Sequence, residues 1–196
     1  LATDCDHKPK LMLHSCCGPC SSYCLDYLKD YFDITVFYYN PNIFPEEEYY
    51  HRLSEQKRLI EEMNLEGENA GAACSFHINL LTVPYAHSEF TEFVKGLEGE
   101  REGGTRCAKC FELRLRKTYE LAGDHGMDYF ATTLTVSPHK NAAVINSIGE
   151  AISDGMPLWL PSDFKKKEGY KRSIELSQKY GLYRQSFCGC EFAYRG

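Results

Sequence analysis

Ten cysteines stand among 196 residues, and most fall in short clusters. Cys16, Cys17 and Cys20 lie in HSCCGPCS, and Cys24 follows one helical turn beyond Cys20. Cys107 and Cys110 form a CxxC, and Cys188 and Cys190 form a CxC around Gly189. Cys5 and Cys74 stand alone. Clusters of this kind fit metal or redox work in a reducing compartment better than a framework of structural bridges. A chain of this length and apolar content builds its own core and needs no disulfide staples.

Each cluster has its own chemistry. Cys16, Cys17 and Cys20 sit between an apolar run and a helix start, where the helix dipole lowers thiol pKa and favours metal binding. Gly18 lets the backbone turn, and Pro19 suits a first helical turn. Cys24 reads as a small core residue. Cys107 and Cys110, at i and i+3, share a face of the helix that they open. With Cys16 and Cys17 they make four sulfurs from two loops, which fits a structural zinc or a [4Fe–4S] cluster. A Cys188–Cys190 disulfide would close a small, strained ring suited to electron exchange; the same pair could instead ligate a metal.

Charge narrows the partners. The net charge of −6 excludes coating nucleic acid through bulk charge. Basic residues are local: Lys165, Lys166, Lys167, Lys171 and Arg172 alternate with Phe164 and Tyr170, a mixture that can meet phosphates and stack on bases. Arg114, Arg116 and Lys117 form a second group. Ser137 to Lys140, SPHK at a helix start, offers either a phosphate site or a cap. GxxxxGK[ST], GxGxxG and HExxH are all missing, so a conventional nucleotide-hydrolysing or nicotinamide enzyme is not supported. No apolar run approaches the roughly 18 residues of a membrane span. With 43% hydrophobic and 26% charged residues, disorder is excluded.

The elements that must position these groups alternate. Strands are predicted over 10–15, 34–40, 78–83, 129–134 and 158–160. Helices are predicted over 21–31, from 46 onward, and over 88–97, 109–122, 141–153 and 173–180, the last closed by Gly181. Residues 66–75 read as a loop. The pattern predicts an α/β fold with a mainly parallel sheet covered on both faces. In such sheets the site lies at the carboxyl ends of the strands, so the loops at 16–20, 40–44 and 133–140 should meet at one edge. The expected organisation is a leader at 1–10, one catalytic domain over 11–192, and a short end at 193–196.

Five blocks in order carry a resemblance: HSCCGPCS, FYYNPNIFPEEEYYHR, EGGTRCAKCFELRLRKT, DYFATTLTVSPHKN and DFKKKEGYKRSIELSQKYGLYRQSFCGC. Together they resemble the QueH type of epoxyqueuosine reductase over about residues 11–192. The resemblance implies reduction of the epoxide of epoxyqueuosine, at the tRNA anticodon wobble position, to queuosine. It implies a Rossmann-like fold similar to the adenine-nucleotide α-hydrolases (HUP type), with the phosphate-gripping loop replaced by HSCCGPCS. It implies Cys16, Cys17, Cys107 and Cys110 as [4Fe–4S] ligands, and Cys188 and Cys190 as a redox-active pair. A mononuclear iron beside the cluster would draw on Cys188, Cys190 and Cys20, the last standing where some members carry Asp. Candidate proton donors are Tyr39, His14, His139 and Asp163. Tyr38, Tyr39, Asn40 and Asn42 would shape the base pocket, for the tyrosines in balance with a plain core role. Ser137, Lys140, Lys165, Lys166, Lys171, Arg172 and Arg184 would bind tRNA. The expected setting is the cytoplasm, with tRNA and an electron donor as partners. Two readings compete: a zinc-stabilised RNA-binding module, separated by metal analysis, and a metal-free thiol–disulfide oxidoreductase, separated by activity after metal removal. A sulfur-transfer enzyme on tRNA would need an ATP site in the loop that is Cys-rich here.

Overall fold

The structure is a computed structural model that describes residues 8–69 and 76–195. Cys5, Cys74 and most of the expected leader lie outside the described residues. The central strand is β1 (Lys10–Ser15). Its side chains alternate between faces, as strand geometry requires. Leu11 and Leu13 pack with Leu25, Leu59 and Leu176. These belong to α1 (Gly18–Leu28), α2 (Glu46–Asn69) and α6 (Gly169–Lys179). Met12 packs with Phe111, Leu115 and Ile145. Those belong to α4 (Thr105–Asp124) and α5 (Ala142–Ile152), across the sheet. Helices thus cover both faces of a strand that is apolar on both, and cutting Leu13 back to Ala would cost about 2–5 kcal/mol.

β2 (Asp33–Tyr38) and β3 (Asn79–Thr82) extend the sheet on one side of β1. α3 (His87–Phe93) follows β3. β4 (Tyr129–Thr132) and β5 (Leu158–Trp159) extend it on the other side. All pairings are parallel, and the order is β3-β2-β1-β4-β5. The expected Rossmann-like α/β architecture is therefore present. The winding reverses between β1 and β4, and the crevice at their carboxyl ends is where such sheets bind ligands. The Cys16–Cys20 turn leaves β1 there, Asn40 and Asn42 follow β2, and the chain after β4 leads to Ser137 and Lys140.

Boundary differences have local causes. α4 begins four residues before the expected 109, with Gly104 as its extended N-cap, so the CxxC lies within its first two turns. α2 runs on to Asn69, into the stretch read as loop. β4 stops at Thr132 because the Thr132 hydroxyl accepts the Leu134 N–H and turns the chain into a 3₁₀ turn, Thr133–Val136. α5 is capped by Asn141, whose side chain accepts from Ala143 and Val144, so the capping role offered to Ser137 falls to Asn141.

Candidate metal centre

Cys17 takes the N-cap of α1 in an extended conformation, and Pro19 enters the first turn. This sets Cys16, Cys17 and Cys20 around one helix N-terminus. Their sulfurs lie within 4.8 Å of one another, the sole group of three or more metal-binding atoms this compact among the described residues. Cys16 and Cys17 sulfurs are 3.8 Å apart. That is close to the edge of a tetrahedron around one metal ion with bonds of about 2.3 Å. Hydrogen bonds from Cys17 and Cys20 hold the Cys16 thiol well below its ordinary range, with help from the Lys140 charge. The turn is anchored from below. Ser15 and Ser21 hydroxyls, on either side of it, both donate to Gln56 Oε1 of α2 at 2.6 Å.

The CxxC opens α4. Cys107 Sγ accepts a hydrogen bond from Gly103 N–H at 3.2 Å. Cys110 is buried with Cys190, Phe90 and Val94, and Cys188 packs against the same cluster. Burial pushes the Cys110 thiol up to about 12 and also raises Cys190. Cys188 and Cys190 are separate thiols. Cys24 is fully buried in the core, as expected.

Two cations sit among these sulfurs. Arg114, on α4, is 2% exposed. Burial opposes its charge, yet Cys110, Cys188, Cys16 and Cys107 together raise its pKa. Lys140 behaves alike: burial opposes its charge, and Cys188, Cys16 and Cys20 raise its pKa. Among the described residues neither has a carboxylate within ion-pair distance. Soft thiol donors beside one buried and one half-buried cation without acids suit an anionic metal–thiolate centre.

A cavity of about 610 Å³ opens beside the sulfurs. Of the expected residues it is lined by Cys16, Cys20, Asn40, Asn42, Ser137, His139, Lys140, Tyr170, Arg184 and Cys188. Buried amide oxygens of Asn40, Asn42 and Gln185 have no hydrogen-bond partner among the described residues, and all three side chains line the cavity. Other expectations fall elsewhere. Tyr39 is not among the lining residues; its hydroxyl donates to Glu89 and its ring stacks on Phe37 in the core. Tyr38 packs on Tyr49. His14 is fully buried between Thr132 and the Tyr39 carbonyl, and its pKa falls to about 3, chiefly through burial. Asp163 pairs with Lys165 and Lys166. Lys171 pairs with Glu168, and Arg172 with Asp26 and Glu175. The lysines and Arg172 of the basic patch are thus largely matched by nearby acids and lie outside the cavity lining, Phe164 is buried in the core, and Tyr170 of the patch joins the lining.

A family model described as epoxyqueuosine reductase QueH matches residues 11–196, nearly the whole chain. The chain belongs to the QueH family. QueH relatives carry the same name in distant bacteria. That of Streptococcus pyogenes serotype M1 is 43% identical over 187 residues, covering 95% of this chain and 71% of the relative. That of Staphylococcus aureus is 43% identical over 189 residues, covering 95% and 76%. That of Thermotoga maritima is 31% identical over 191 residues, covering 93% and 89%. Within this QueH chain, sequence reasoning missed Gln56, Arg52, Arg114 and Gln185. Gln56 and Arg52 did leave a signal. They interrupt the apolar stripe of α2, between Tyr49, Leu53, Ile60 and Met63, where a solvent-facing polar residue would not stand. Among the described residues, no helix is long and apolar enough to cross a membrane.

Proposed function

We propose that this chain reduces the epoxide of epoxyqueuosine in the tRNA wobble position to queuosine, in the cytoplasm, as a [4Fe–4S] oxidoreductase built from residues 11–192. The observation that carries this reading is the cavity at the strand-order reversal. A phosphate-gripping sheet edge would present backbone amides there; this one presents thiols with the buried Arg114 and half-buried Lys140.

Cys16, Cys17, Cys107 and Cys110 would hold the cluster from the starts of two helices, whose dipoles favour thiolates. Cys20, Cys188 and Cys190 are the sulfurs left for an adjacent iron. The cluster would supply electrons one at a time. Removing the epoxide oxygen as water takes two electrons and two protons. The Cys188 and Cys190 thiols, closing to a disulfide, release two of each, so the step balances on the chain's own residues. The electron donor that restores the dithiol is a separate partner. Asn40 and Asn42 would accept hydrogen bonds from the base or its hydroxylated ring. Ser137, Lys140 and Arg184 would seat the neighbouring backbone, with Lys165, Lys166, Lys171 and Arg172 meeting phosphates farther out.

The test is anaerobic purification with metal analysis and a turnover assay on epoxyqueuosine-tRNA. We expect about four irons in a cluster, and one more if the second site fills. Cys188→Ser should keep the four-iron cluster and lose turnover. Zinc alone after anaerobic reconstitution with iron would overturn the cluster; full turnover by Cys188→Ser would overturn the redox pair.

A further inference from the structure

Arg52 lies on the buried face of α2 and is 2% exposed. Its Nε pairs with Glu48 at 2.6 Å. Its two terminal nitrogens point to the C-terminal segment: Nη1 donates to the Cys188 carbonyl at 3.1 Å and Nη2 to the Phe187 carbonyl at 3.3 Å. The guanidinium also lies 5.0 Å from the centre of the Phe187 ring. Gly189, between the two cysteines, has φ +96, a conformation that glycine adopts without penalty. A Cβ there would press on three guanidinium atoms at 3.2–3.3 Å. On its other side, the Gly189 carbonyl accepts the Phe44 N–H at 2.9 Å. The same helix holds the segment upstream. Arg58 donates to the carbonyls of Tyr180 and Gly181, and Glu55 accepts the Tyr183 N–H.

We propose that Arg52 is a positioning residue that locks the Cys188–Gly189–Cys190 loop, so that Cys188 faces the cavity while Cys190 stays against Cys110. The planar fork matters, because two carbonyls on adjacent residues need two donors in fixed geometry and a lysine ammonium is a single point charge. The inference rests on the redox assignment of Cys188 and Cys190 for its significance.

Its test needs neither turnover nor metal. Metal-free protein is pulsed with iodoacetamide, and labelling rates at Cys188, Cys190 and Cys24 are read by peptide mass spectrometry. Arg52→Lys should raise the Cys188 and Cys190 rates about tenfold while core Cys24 stays protected, the signature of local rather than global opening. Arg52→Gln, which keeps a buried polar stem without the planar fork, should do likewise and decides the matter if Arg52→Lys does not fold; Gly189→Ala, strained at φ +96 and pressed on the guanidinium, should also raise the rates. Lys57→Gln, an exposed change on the same helix that leaves Arg52, Glu48 and both carbonyl bonds in place, should change the rates by less than about twofold. Unchanged rates in the Arg52 and Gly189 variants would overturn the clamp. So would a rise that Cys24 shares, or an equal rise in Lys57→Gln. Failure of the redox reading shows separately, as full turnover by Cys188→Ser.

Discussion

Replacing Gln56 by Met tests how the thiol turn is held. Gln56 is fully buried, and one oxygen accepts both Ser15 and Ser21 hydroxyls at 2.6 Å. Met has similar volume and no acceptor, so the packing cost is small. Two lost buried hydrogen bonds amount to about 2 kcal/mol. Ser21 keeps the Cys17 and Gly18 carbonyls as partners, at 3.0 and 3.1 Å. Ser15 keeps only the Cys17 carbonyl, at 3.4 Å, so most of the loss falls on Ser15. Gln56 Nε2 has no partner among the described residues, and removing it returns part of a desolvation cost. The net expectation is about 1–2 kcal/mol, or a Tm lowered by about 2–8 °C for a chain of this size. Urea unfolding and calorimetry measure it, with iron per chain determined on the same samples. A double-mutant cycle with Ser15→Ala should give a coupling of about 1 kcal/mol, and iron retention should fall with Gln56→Met. Additive Gln56 and Ser15 effects, with unchanged iron, would show that this bond does not hold the turn.

Other perturbations follow from the same geometry. Gly149→Ala would drive a Cβ into the Trp159 ring between α5 and β5, and should cost about 1–3 kcal/mol in urea unfolding; a neutral result would mean that the strand yields freely. Arg184→Glu should weaken tRNA binding more than Lys166→Glu, because Asp163 already offsets Lys166 while Arg184 lines the cavity. Filter binding at two salt concentrations checks the order, and equal losses would reject it. Burial pushes Cys110 up to about 12, so its thiol is protonated at neutral pH and must lose that proton to ligate metal. Metal affinity should therefore rise with pH. Cobalt added to weakly buffered apo-protein should release one proton fewer in Cys110→Ala than in the unmodified chain; equal release would remove Cys110 from the ligand set.

The fold was legible because its signals are periodic. The apolar run at Leu11–Leu13 and the β-branched run after Asp33 read as buried strands, and alternation with helices was enough for a parallel sheet. Ends were less legible, since tertiary contacts set them. Nothing in TLTV announces that Thr132 will cap its own strand into a 3₁₀ turn. At the site, the thiol motifs and the asparagines after β2 were visible as residue types at loop positions. Tyr39 was not separable from them, because a tyrosine ending a strand serves a core and a pocket equally well. Its position is decided by Glu89, fifty residues away, which captures the hydroxyl.

Arg114 shows most clearly what a linear reading loses. Beside Arg116 and Lys117 it reads as one more charge on a basic run. Helical periodicity separates them: Cys110, Phe111, Arg114, Leu115 and Thr118 share the buried face of α4, while Arg116 and Lys117 pair with Glu112 and Glu120. A buried guanidinium without a counter-charge is strongly destabilising. Its Nε donates to the Cys110 carbonyl and its guanidinium lies 5.6 Å from the Phe111 ring, but the groups beside it that can turn negative are thiols, so its net charge is balanced when they ionise. Metal binding ionises them. Folding at this edge of the sheet and assembly of the thiolate centre are thus one electrostatic problem, and Arg114→Met should ease the first while impairing the second. The apo-protein should hold or gain stability toward urea while iron uptake falls, and a variant that loses stability without losing iron would break the link.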